Sequence, residues 1–294
     1  MHQRVLHSAS RSFERLERGW ESQRAQRFIG SLLVVSFLGA LLVIELNLHG
    51  WLAPFSRWLP RNHFYAVETA FTLLLLVEVA GLIFVLERSV SSAVGKQIEI
   101  LSLILLRQSF KEFIYFDEPI TWDQVRESLV PMTSDAIGAL LIFVVLGFYY
   151  RMQRHIPITA DAEDQANFVA AKRLVALGLL MTFIAVGIGE LVSMLSEGRA
   201  PLFFEKFYTI MIFTDVLIVL ISLCYSSTYH VVFRNSGYAL ATVFIRLALI
   251  APPPFNAALG LGTALFALGL TMSYNTLAPA LQSAPAHAAR VPAD

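Results

Sequence analysis

Long runs of apolar residues, many close to the length an α-helix needs to cross a bilayer, constrain this chain more than any other feature. A membrane-spanning helix takes about 20 mostly apolar residues. Phe28–Leu48, Phe64–Leu86, Ser134–Tyr150, Leu174–Leu195, Phe207–Ser227, Gly237–Ala251 and Phe255–Asn275 all read as spans. Only 15% of the 294 residues are charged, and mean hydropathy is +0.62. A soluble domain carries about 25% charged residues. The predicted class is an all-α, polytopic integral membrane helix bundle with the lipid bilayer as its surroundings.

Ile98–Phe116 decides the number of crossings. Ile98, Ile100, Leu101 and Leu103–Leu106 are apolar on every side, yet Glu99, Arg107, Lys111 and Glu112 interrupt the run. Lys and Arg concentrate on the cytoplasmic side of membrane proteins. With the amino terminus inside, eight spans put 14 basic residues inside and 5 outside, whereas seven spans give 13 and 8. Eight spans are therefore expected, or seven if the segment does not cross. The expected location is a cell (inner) membrane with the amino terminus cytoplasmic.

Three regions follow. In residues 1–27, Phe13, Leu16 and Trp20 recur at helical spacing, with Arg11, Arg15 and Arg18 on another face. That is a basic amphipathic helix, lying on the membrane surface or docked on the protein itself. Residues 28–275 form the bundle, and residues 276–294, rich in Ala and Pro, form a disordered tail. Thr121 with Gln124 fits a capping box, and Pro131 is expected to end the short helix it opens. Thr159, Asp161, Glu163 and Asp164 mark a helix start that runs through Lys172 and Arg173 into the span at Leu174. Pro252, Pro253 and Pro254 separate the last two spans. Trp51 and Trp58 belong at an interface.

Charges inside the spans are the candidate functional residues, because a charge at bilayer depth costs roughly 2.5–3.5 kcal/mol on insertion scales and commonly marks a pathway. At 1.5 Å rise per residue, Glu190 and Arg246 lie roughly 8 Å from the outer ends of their spans and Asp215 roughly 12 Å. Asp215 and Arg246 suit a pair, since a guanidinium fork can bind both carboxylate oxygens. Glu190 is then the unpaired acid. Glu78 and Arg107 form a second potential pair nearer the inner side, while Glu45 and Glu68 fall near outer helix ends. Each pair equally suits a structural lock.

Other chemistry finds little support. His49, His63, His155 and His230 have no metal-site spacing. Cys224, the single cysteine, reads as a small buried residue. Gly260 with Gly262, and Gly187 with Gly189, read as close-contact positions between helices. Neither a catalytic constellation, nor a cofactor motif, nor a nucleic-acid partner is indicated. Val67-Glu68-Thr69 through Phe71, Glu78 and Arg88 resembles the second helix of voltage-sensor four-helix domains. Ser134–Tyr150 lacks the arginine ladder of that family, with only Arg151 and Arg154 beyond its end, so no function carries over. The leading expectation is cation or proton transport through intramembrane carboxylates. The alternative is a membrane-embedded scaffold or regulatory subunit that binds protein partners or a second copy of itself. A membrane enzyme with a lateral pocket comes third.

Overall fold

A computed structural model describes residues 2–52, 59–87, 90–116, 118–153, 162–197, 202–225 and 229–283. Arg88, Arg154, Trp58, His155, Thr159, Asp161 and residues 284–294 lie outside them. The described residues are helical almost throughout: α1 (His2–Glu21), α2 (Gln23–Leu48), α3 (Phe64–Val85), α4 (Val90–Lys111), α5 (Trp122–Met152), α6 (Ala162–Glu197), α7 (Phe203–Leu223), α8 (Tyr229–Ile250) and α9 (Phe255–Ser283), with a 3-10 turn at Glu112–Tyr115. Six of these, α2, α3, α5, α6, α7 and α9, are long and apolar enough to cross a membrane.

Local chemistry sets the boundaries. Ser22 caps α2, its hydroxyl accepting from Ala25 N at 3.2 Å. The capping box of Thr121 and Gln124 opens α5. The helix does not stop at Pro131, however, and continues unbroken to Met152. A proline removes one backbone donor and costs roughly 3 kcal/mol in a helix interior. Packing of the long apolar stretch behind it outweighs that cost. Likewise α9 runs eight residues past Asn275 to Ser283, so the first part of the expected tail is helical. α6 passes through Lys172 and Arg173 into its apolar stretch as anticipated. The three prolines separate α8 from α9.

α1 docks on the protein. Phe13 is buried against α3 and α6, and the Trp20 ring stacks on Phe84 at 5.4 Å. Arg173 clamps the contact, donating to Glu14 at 2.6 Å and to Glu87 at 2.5 Å. Leu16, by contrast, stays exposed. α2 packs on α3 and α1 and leaves most of its apolar surface open.

Two apolar cores lie side by side. One joins α1, α3, α6 and α7 through Phe13, Val79, Ile83, Phe207 and Met211. The other joins α5, α8 and α9 through Ile142, Tyr149, Ile245 and Ala267. α4 belongs to both, giving Ile100 and Ile104 to the first and Val94, Ile98, Leu101 and Leu105 to the second. This explains much of its apolar character, while Leu103, Leu106 and Phe110 form a third, exposed apolar face that belongs to neither core. Gly138 lets α5 and α9 touch, because a Cβ there would stand 2.5 Å from that of Ala257. Gly260 packs tightly on Ile142 and Leu101, but Gly262 and Gly189 face open space, and Gly187 makes only ordinary contact with Phe203.

Side-chain contacts at both ends show that α4 runs the length of the bundle. Near the α1 end, Tyr149 donates to Ser91 O at 2.7 Å. At the opposite end, Ser109 donates to Met132 O at 3.0 Å and Asn256 to Gln108 at 3.2 Å.

Candidate functional site

Asp215 on α7 and Arg246 on α8 meet at the seam between the two cores. Their closest nitrogen–oxygen approach is 3.8 Å, and the side chains are 5% and 0% exposed. At that distance the fork does not grip the carboxylate. Arg246 Nη2 instead donates to Gln97 Oε1 of α4 at 3.0 Å. Arg246 Nε and Nη1 and Asp215 Oδ2 have no hydrogen-bond partner among the described residues. Leaving such groups unmet costs roughly 1–3 kcal/mol each, more when charged. The pair is therefore loosely held and incompletely satisfied.

A cavity lies on each side of it, the smaller mostly apolar with a few polar groups and the larger more polar. Toward the α1 end, a cavity of about 30 Å³ is bounded by Gln97, Lys172, Asp215, Ser222, Asn235 and Thr242 together with apolar side chains. A buried water needs about 10–15 Å³ and two to four polar partners, and the volume suffices for one. Asn235 donates to Ser222 at 3.4 Å on its wall. Lys172 donates to Glu87 O and covers the Phe168 ring, which fixes an otherwise costly buried ammonium.

Toward the opposite end, a larger cavity of about 200 Å³ is lined by Glu68, Glu78, Arg107, Gln108, Lys111, Glu205 and Tyr208 among apolar and aromatic neighbours. Glu78 and Arg107 form an ion pair on its wall, at the end shared with Glu68, Lys111 and Glu205 and not nearer the inner side as expected. The reason is that α4 begins at Val90 and so brings Arg107 close to its far end at Lys111. Tyr208 lies two turns before Asp215 on α7, on the same face by helical periodicity. It is 4% exposed.

Glu190 does not join this set. It accepts from Lys206 Nζ at 2.5 Å and from Leu202 N at 2.8 Å. It is thus the paired acid of the α6–α7 hairpin, correcting the expectation that it stands alone. The reason is topological: the connection after α6 is short, so positions on either side of it face each other. Its carboxylate also suits the positive end of α7. Beside it, an almost wholly apolar groove of about 580 Å³ runs between α3, α6 and α7.

Sequence reading found the four charges and missed the groups that tie them together. Gln97 precedes the run by which α4 was recognised, and Lys172 precedes the apolar part of α6, so neither carried a depth signal. Asp135, 2% exposed, was also missed; it accepts from Asn256 at 2.8 Å and joins α5 to α9. Cys224 is exposed, because it caps the end of α7 where the core has thinned. Glu45 lies at an outer helix end but is not simply solvated: His63 bridges it, at 3.0 Å, to Glu118, at 2.9 Å.

No protein-family model, curated protein or solved structure matches this chain.

Proposed function

We propose that this membrane protein moves protons through the α3–α4–α7–α8 seam, with Asp215 as the carrier group and Arg246 as its fixed counter-charge. The observation that carries the reading is a buried, loosely bonded carboxylate–guanidinium pair between two cavities, one small and bordered by Asp215 itself, the other larger and more polar, that lie toward opposite ends of the bundle. Of cations and protons, the arrangement favours protons. A guanidinium keeps its charge, and a fixed positive charge at a constriction repels cations. A carboxyl can still accept a proton on one side and release it on the other. Neutralising Asp215 removes the counter-charge of Arg246, leaves Gln97 as its remaining partner, and so biases α7 against α8.

In this reading α4 and α8 cross with the six strongly apolar helices, for eight crossings. Each has 22 residues, about 33 Å of helix. The amino terminus faces the cytoplasm, and the protein resides in a cell membrane. Glu78 and Arg107 flank the outer mouth, while Glu190 holds the α6–α7 hairpin.

The test is proton flux into liposomes under an imposed potential, read with an interior pH dye. Wild type should acidify the lumen, and Asp215→Asn should lower the rate at least tenfold. Absent wild-type flux, or an unchanged rate in Asp215→Asn, would overturn the reading. The scaffold alternative draws on the exposed apolar length of α2. It gains if flux is absent and a photo-crosslinker at Val35 captures one protein in stoichiometric yield.

A further inference from the structure

The larger cavity has more chemistry than a proton mouth needs. Glu68, Glu205 and Lys111 line it and form no ion pair among the described residues. Tyr208, a 4% exposed residue, lies on its wall, and its hydroxyl makes no hydrogen bond to another described residue. The hydroxyl is not among the fully buried polar atoms left without a partner, so it keeps accessible surface, and as a cavity-lining group it is open to a ligand. Phe71, Leu75, Phe204 and Leu249 supply an apolar wall. The volume, about 200 Å³, falls below the roughly 300–1,000 Å³ of drug-sized sites.

We propose that this cavity binds a small α-amino acid with an apolar side chain. The ammonium lies toward Glu68 and Glu205, the carboxylate toward Lys111 and the Tyr208 hydroxyl, and the side chain against Phe71 and Phe204. Two acids and one base without internal partners match one ammonium and one carboxylate, with one acid in excess. Aromatic faces add favourable contact with a cationic group. The inference rests on the pathway reading for its consequence: binding at the outer mouth couples the amino acid to protonation of Asp215. Binding itself does not require that reading.

Purified protein in lipid-free detergent is titrated calorimetrically with leucine, with isoamylamine, which lacks the carboxylate, and with 4-methylpentanoate, which lacks the ammonium. Leucine should bind saturably and at least tenfold more tightly than either analogue. Lys111→Met should erase the preference over the amine, and Glu205→Gln should weaken leucine binding at least tenfold, with Lys111→Arg retaining it. Both positions are exposed, so folding should survive. Asp215→Asn should keep binding. Equal affinity for the three compounds, or no binding of leucine or phenylalanine, would overturn the inference. So would stabilisation by phosphatidylethanolamine nanodiscs with no response to free amino acids, which assigns the charges to a lipid headgroup. Flux sensitive to Asp215→Asn without leucine binding refutes this site alone. Leucine binding without flux refutes the pathway alone.

Discussion

Arg246 is fully buried, and much of its hydrogen-bonding capacity is unmet, so its energetics depend on what remains around it. Removing one member of a buried ion pair strands the other and costs roughly 3–5 kcal/mol. Arg246→Met should therefore lower thermal stability markedly, by about that amount, with Asp215 left alone in the seam. Replacing Asp215 and Gln97 by Leu as well should recover most of the loss, since a well-packed apolar substitute for a buried pair is often neutral. Unfolding curves in detergent for the single and triple variants check this. A triple variant as unstable as the single one would show that the polar cluster itself holds α4, α7 and α8 together. Stability and flux thus separate: the triple variant should fold well and transport nothing.

Among the elements, α2 is the one whose attachment pH should control. His63, at the start of α3, contacts Glu118 through Nδ1 and Glu45 through Nε2, so both ring nitrogens donate only in the charged form. The Glu118 hydrogen bond, helped by Glu45, holds His63 above its ordinary 6.5. Glu118 is correspondingly held below its ordinary 4.5 by the bond from His63. A raised histidine contributes fully below about 6.5, and that contribution fades as pH climbs through the raised value. A lowered carboxylate contributes above 4.5, and its contribution is lost as pH falls through the depressed value. The clasp between α2 and the α4–α5 connection should be tightest between those limits. The group is partly exposed, so the effect is modest. Melting temperature from pH 5 to 9 should drop on the alkaline side in wild type and stay flatter in His63→Gln. Identical profiles would rule out the clasp.

At the scale of the whole molecule, the proposed eight crossings predict which side each connection faces. In a Cys224→Ser background, single cysteines at Gln23, Ile120 and Tyr229 report it, all three positions being exposed. A membrane-impermeant maleimide should label Ile120→Cys in intact cells and the other two only after lysis. If α4 fails to cross, the pattern at Ile120 and Tyr229 inverts. The bundle has a seam because two apolar cores share α4, and its polar groups collect there because neither core is continuous across it.

Apolar runs dictated the helical, membrane-embedded class by themselves, since length and hydropathy are local and a span needs nothing else to be recognised. Charge depth singled out Asp215, Arg246, Glu78 and Arg107 for the same reason. Partnership was a different matter. Glu190 found Lys206 across a hairpin, Gln97 reached Arg246 from a helix 149 positions away, and Pro131 was carried inside α5. Hydrogen bonds and packing are made between residues distant in the chain. Only the tertiary arrangement could decide which buried charge is satisfied and which is left incompletely bonded.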